Sequence, residues 1–309
     1  MVGLIIFLII IFFIFLLIKK RKKKNLNLRA EAVPSYLGIL IEEGKPIVKH
    51  LHSSLHRSYK KNVKERMLQN HPNWKDHDFE WRYLELKKYF VLNSLIKSVP
   101  MFSEAVDEVW HEMLMFTKDY EKFSQNFYKD FLHHTPNLNV TPIPGERAYF
   151  DWVYLSLFQP KKNSQILWGG FLKYPIKQDI LQNFKNQTED ELLKMYFRDS
   201  DDWIDVKKYL IQKMKTEINQ SENMIYNKRQ FPFTRLTSES DLHLLLPAAV
   251  FFSMYETNQF EQHMSELIPQ QLTKSAGGSS SCSGFGCIGS DSNSDGGSSC
   301  SSCGGGCSS

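Results

Sequence analysis

The sequence predicts a mainly all-α protein, on three observations. Between residues 46 and 274, apolar side chains recur at three- and four-residue steps, the spacing of one helix face. Helix-start patterns stand where those runs begin: Ser103-Glu104, Thr188-Glu189-Asp190-Glu191 and Ser238 to Asp241. Proline- or glycine-bearing joints such as Ser98-Val99-Pro100 and Gly44-Lys45-Pro46 separate the runs, and only Gln165 to Trp168 reads as a short strand.

Taken in order, Val2 to Ile18 is an uninterrupted apolar run whose one weak point is Gly3. Its 17 residues rise about 25 Å as a helix, enough to cross a bilayer core. No charge precedes it, and Lys19 to Lys24 follow as six consecutive basic residues. A cleaved signal peptide carries its charge on the other side, so residues 1–24 read as a transmembrane helix with a basic flank. The positive-inside rule then places the N-terminus outside and the bulk of a single-pass protein in the cytoplasm. Residues 2–18 would meet membrane lipid, and Lys19–Lys24 would attract anionic headgroups.

Residues 25–45 read as a linker with a short helix, and 46–274 as a multi-helix soluble domain. A first helix, Ile47 to about Gln69, carries Leu51, Leu55, Tyr59, Val63 and Met67 on one stripe. His52 and His56 lie four apart on it, but Arg57, Lys60 and Lys61 would repel a cation, so they read as a solvated face. His71 to Asp78 is a loop. Phe79 to Lys97 forms the next helix, followed by one long helix from Ser103 to Thr135-Pro136. Its Val106 to Phe116 half is apolar nearly all round, as a central helix is.

Beyond two prolines near 142–144, helices are expected at Arg147 to Phe158, Glu189 to about Phe197 and Asp201 to about Asn219. An apolar helix interrupted at Pro247 and a weaker one from Gln259 to Leu272 follow. Residues 275–309 are almost wholly Gly, Ser, Cys, Asp and Asn, a composition that cannot offset its own ordering entropy and reads as a disordered tail. All five cysteines lie there. Cys300, Cys303 and Cys307 have a spacing that a zinc ion or a disulfide could use, although the flanking hydrophobics of a zinc knuckle are missing.

The formal net charge is +4, and the basic run alone exceeds it, so the remainder is slightly acidic. Global charge therefore gives no argument for nucleic-acid binding. No P-loop, Rossmann, Ser-His-Asp or paired CxxC pattern is present.

Chemistry concentrates in one stretch, Trp81 to Pro136. Asp107 and His111, four residues apart, share a helix face, with Trp110 beside them. His133 and His134 stand before Pro136. An Asp-His pair at this spacing can offer two metal ligands or an acid/base dyad. Along an unbroken helix, however, His111 and His134 would lie about 35 Å apart. His111-Glu112 is also not the zinc-protease motif, because Met115 stands where that motif needs histidine. The bland expectation is a core hydrogen bond from His111 to Asp107, with His133 and His134 capping the helix C-terminus. On that reading, loss of the His111 ring destabilises the domain.

Val106-Asp107-Glu108-Val109-Trp110-His111, then Thr117, Tyr120, Phe123 and His133-His134-Thr135-Pro136, resemble the signature of the glycine-rich domain-containing protein-like family. The resemblance covers residues 79–137, and the Gly/Cys-rich tail accords with the family name. Tyr128-Lys129-Asp130 stands where the family leads one to expect a glycine. The resemblance implies an all-helical domain and no defined activity. Two functions are open. The first is an interaction or scaffold module for a protein partner at the cytoplasmic membrane face. The second is a metal-dependent or acid/base hydrolase centred on Asp107 and His111.

Overall fold

A computed structural model of the chain describes residues 26–134, 144–226 and 233–268. The expected membrane anchor, the Thr135-Pro136 helix stop and the Gly/Ser/Cys tail with Cys300, Cys303 and Cys307 lie outside the described residues. Among the described residues no helix is long and apolar enough to cross a membrane.

Among the described residues the architecture is all-helical. Its α-helices are α1 (Lys45–Ser54), α2 (Arg57–Asn70), α3 (Asp76–Leu95), α4 (Glu104–Leu114), α5 (Thr117–Tyr128) and α6 (Pro144–Leu157). They continue with α7 (Lys162–Trp168), α8 (Gln178–Asn186), α9 (Glu189–Tyr196), α10 (Ile204–Tyr226), α11 (Leu246–Tyr255) and α12 (Phe260–Leu267). Short 3-10 turns cover Ser35–Gly38, Glu42–Gly44, Glu239–Leu245 and Thr257–Gln259. Pairing between extended segments among the described residues amounts to two isolated antiparallel bridges, Ile39 with Phe158 and Ile96 with Phe197.

The central element is α3, not the Val106 to Phe116 helix that the sequence suggests. On α3, Phe79, Trp81, Leu84, Leu86, Phe90, Val91, Leu92 and Leu95 are all buried, and they point to every side of the helix. It packs against α1, α2, α4 and α7, while α10 packs against α8, α9 and α11. Two of its mid-helix charges go fully inside as well. Glu85 and Lys88 are fully buried and lie 3.0 Å apart. Glu85 Oε1 also accepts from the Ser164 hydroxyl (2.7 Å), and Oε2 from the Tyr154 hydroxyl (2.7 Å) and the Trp168 indole N–H (2.8 Å). Lys88 Nζ donates to Tyr154 over 2.8 Å. Two charges can be held in an apolar interior because each Glu85 oxygen accepts two hydrogen bonds and Lys88 donates two. The same hydrogen bonds fix α3, α6 and α7 against one another.

The segment read as a linker belongs to the packed body. Leu28 and Leu37 are buried, the Trp81 indole donates to the Glu31 carbonyl (2.8 Å), and Asn163 exchanges two hydrogen bonds with the Arg29 backbone (2.8 and 2.9 Å).

Several expected boundaries move. The first helix breaks at Leu55-His56, where His56 is extended (φ −61°, ψ 143°). Helix α7 occupies the place of the expected strand at Gln165 to Trp168, and Gly169 closes it in the left-handed region (φ 71°) where a side chain is strained. Helix α8 has no counterpart in the sequence reading. Pro247 sits in the first turn of α11 and so starts that helix instead of interrupting it, since its missing N–H is one that a first turn leaves unpaired anyway.

Candidate metal centre

The expected long helix from Ser103 to Thr135 is two helices and a return. Ser103 caps α4, its hydroxyl accepting from the Val106 amide (3.2 Å) and donating to the Leu167 carbonyl (2.6 Å). At Met115-Phe116 the chain leaves helical geometry, Phe116 taking φ −96° and ψ 63°. The Phe116 ring then meets Tyr59 edge-on at 6.2 Å, and the Tyr59 hydroxyl donates to the Met113 carbonyl (2.8 Å). Contact with α2 therefore holds the corner at which α5 departs.

Helix α5 ends at Tyr128, and Lys129 reverses the chain in the left-handed region (φ 60°). That conformation favours glycine, and it falls in the Tyr128-Lys129-Asp130 segment, where the resemblance led one to expect a glycine. Residues 131–134 then run back along α5 without regular structure. Ser124 fixes this return twice: its hydroxyl donates to the Asp130 carbonyl (2.7 Å) and accepts from the Leu132 amide (2.5 Å). The Tyr120 hydroxyl donates to the Leu132 carbonyl over 2.7 Å.

The reversal brings together residues that a straight helix would hold far apart. His134 Nε2 lies 2.8 Å from Asp107 Oδ1, and His111 Nε2 lies 3.6 Å from Asp107 Oδ2. The two imidazoles meet edge-on with centroids 4.6 Å apart. One ligand atom from each of Asp107, His111 and His134 falls within 4.8 Å of the others. Ligands around a tetrahedral zinc ion, each about 2.0–2.2 Å from it, sit roughly 3.4 Å apart. His134 lies closer than that to Asp107 Oδ1 and His111 about that far from Asp107 Oδ2, and His111, 53% exposed, is free to rotate toward a common ion.

Burial grades across the triad. The His134 side chain is 6% exposed and Asp107 21%. Trp110 packs its ring edge-on against His134 at 4.3 Å, and its own N–H is bonded to Tyr120 (3.1 Å). Asp107 occupies the first turn of α4, where the helix dipole favours its negative charge. One imidazole and the carboxylate are thus held in place, while the second imidazole faces solvent.

Three of the five residues singled out in the sequence therefore converge, a fourth supports them, and His133 does not join. His133 is exposed, and its ring packs on Phe131 at 4.9 Å. Neither His133 nor His134 caps α5, which ends before them at Tyr128. The expected buried Asp107–His111 pair is also corrected: the partner of Asp107 at hydrogen-bond distance is His134, and His111 is at the surface. His52 and His56 are both exposed and do not share a helix, the first lying in α1 and the second before α2.

A family model described as UCP032817-like matches residues 47–146. The matched stretch runs from α1 to the beginning of α6 and contains Asp107, Trp110, His111, Tyr120 and His134. No curated protein matches the chain, and no solved structure does.

Proposed function

We propose that this protein is a membrane-tethered helical domain whose Asp107–His111–His134 triad binds a divalent transition-metal ion and uses it for hydrolytic chemistry. One observation carries the reading. Two imidazole Nε2 atoms and one carboxylate, drawn from α4 and from a return 27 residues beyond Asp107 in sequence, converge on one point. Two histidines and a carboxylate suit zinc, iron or manganese, and three protein ligands leave coordination positions for water and substrate. A metal held this way lowers the pKa of bound water and polarises a carbonyl or phosphoryl oxygen. Exposure of His111 supplies the access that such chemistry requires. The membrane tether comes from residues 2–18 and the Lys19–Lys24 flank, with the bulk of the chain on the cytoplasmic side. Membership of the glycine-rich domain-containing protein-like family is part of the same proposal, supported by the meeting of the motif residues Asp107, Trp110, His111, Tyr120 and His134.

A scaffold without metal is the second reading. The observation in its favour is that Asp107 and His134 already satisfy one another at 2.8 Å. Thermal melting of the full-length protein separates the two, because an ion that binds only the folded state raises the melting temperature in proportion to the logarithm of its concentration. The proposal expects zinc or cobalt to raise the melting temperature and a chelator to reverse the rise. A melting temperature indifferent to both favours the scaffold.

A further inference from the structure

A second site stands on a neighbouring face of α4, independent of the metal reading. Between α3, the N-terminal turn of α4 and the end of α7 lies a cleft of about 310 Å³. That is at the lower end of the range for small-molecule sites. Phe102, Ile166 and Trp168 give it apolar walls, and Trp74 borders it. Arg82 lines it while only 3% exposed. The guanidinium lies 3.9 Å from the centroid of Trp74, which in turn stacks on His71 at 4.1 Å.

Arg82 is incompletely used. Its Nη1 donates to the Asp78 carbonyl (2.7 Å) and approaches the Asp78 carboxylate (3.5 Å), but its buried Nε has no hydrogen-bond partner. A guanidinium grips a carboxylate side-on with two parallel N–H groups, and the edge bearing Nε is one that such a pair uses. The first turn of α4, an eleven-residue helix capped by Ser103, borders the same space and adds the partial positive charge of its amides. Two acidic groups face the cleft as well. Glu108 is engaged by His71 (3.0 Å), and Glu104 lies at the rim. With the Asp78 carboxylate, which already pairs with Arg82 at 3.5 Å, they disfavour a dianion such as phosphate.

We propose that this cleft binds a small monocarboxylate with a flat apolar body, the carboxylate on the free edge of Arg82 and the body against Phe102, Ile166 and Trp168. Because two tryptophans line the cleft, binding is read as a change in intrinsic fluorescence. The probe is benzoate, titrated into the full-length protein, with benzyl alcohol and phenyl phosphate as comparisons. Saturable binding of benzoate, at least tenfold tighter than of either comparison, is expected. Arg82→Lys, which keeps the charge and loses the planar fork, should weaken it at least tenfold. Ala105→Leu, which fills the cleft from a half-buried position and leaves Arg82 untouched, should do the same, so the inference stays testable if the arginine variant unfolds. Asp107→Asn should leave benzoate binding unchanged, which separates this site from the metal centre. Equal binding of benzyl alcohol, preference for phenyl phosphate, or absence of saturable benzoate binding would each overturn the assignment.

Discussion

The indole N–H of Trp110 donates to the hydroxyl of Tyr120 over 3.1 Å. Through that bond the side chain next to His111 on α4 is tied to the residue on α5 that holds the Leu132 carbonyl (2.7 Å), and so to the return carrying His134. Burial pushes the Tyr120 phenol up to about 12, with the Trp110 bond opposing the rise. The hydroxyl therefore stays protonated across the physiological range and keeps donating to Leu132.

Tyr120→Phe removes one donor and one acceptor from a buried chain of hydrogen bonds and leaves the Trp110 N–H and the Leu132 carbonyl without it. A loss of about 1–3 kcal/mol is expected in urea denaturation. If the return is held by this bond, metal affinity should fall as well, while Tyr128→Phe, whose hydroxyl donates to the Phe90 carbonyl, costs stability and leaves affinity alone.

The two histidines of the triad should behave differently. His134→Ala leaves Asp107 without its 2.8 Å partner and opens space against Trp110, so a cost of about 1–3 kcal/mol is expected. His111→Ala, at an exposed position, should stay within about 0.5 kcal/mol. This reverses the expectation drawn from sequence, in which His111 carried the stability. Chemical denaturation of both variants without metal decides it, and equal losses would mean that the two rings share the structural role.

The all-helical class was legible from spacing alone, because stripes such as Tyr59, Val63 and Met67 or Val106, Val109 and Met113 bury as one face. The convergence of the triad was not. Neither break that creates it carries a glycine or proline signal. Met115-Phe116 turns because Phe116 packs on Tyr59 of α2, and Lys129 adopts a left-handed conformation that side chains normally resist. Both are tertiary effects that override local propensity. The centrality of α3 was hidden for the opposite reason. Glu85 and Lys88 mimic a solvent face in sequence, yet they face each other inside the core.

That buried pair gives a third prediction. Burial pulls the Lys88 ammonium down, and the Glu85 carboxylate beside it opposes the shift. Glu85→Gln alone or Lys88→Met alone leaves one charge unpaired in an apolar interior and should cost about 3–5 kcal/mol. The double variant should cost clearly less than the sum of the two. A double-mutant cycle by denaturation measures the coupling, and additive losses would show that the two charges act separately.

Glu217 should make stability depend on pH. It is 4% exposed, accepts from the Trp152 indole (2.7 Å) and pairs with Lys213 (2.7 Å). Burial raises its pKa above the ordinary 4.5, with Lys213 and Trp152 opposing the rise. The folded state then holds the proton more tightly than the unfolded one, so the contribution of this group to stability falls as pH rises from about 4.5 through the raised value. Glu217→Gln keeps an acceptor for Trp152 and titrates nowhere. Relative to wild type it should gain stability as pH rises through that window, measured by denaturation between about pH 4 and pH 7. A constant difference across the window would remove Glu217 as the source.

Cobalt binding to the triad is the measurement that bears most directly on the whole account. Full-length protein with all five tail cysteines (Cys282, Cys287, Cys300, Cys303 and Cys307) changed to serine, so that the tail thiols cannot compete, is titrated with cobalt while visible absorption and bound metal are followed. One equivalent per chain is expected, with visible bands of a low-coordinate nitrogen and oxygen site. Asp107→Asn and His134→Ala should each weaken binding at least tenfold, and His133→Ala should not. Stoichiometric binding that survives Asp107→Asn and His134→Ala, or no binding at all at a tenfold excess of cobalt, would contradict the metal centre.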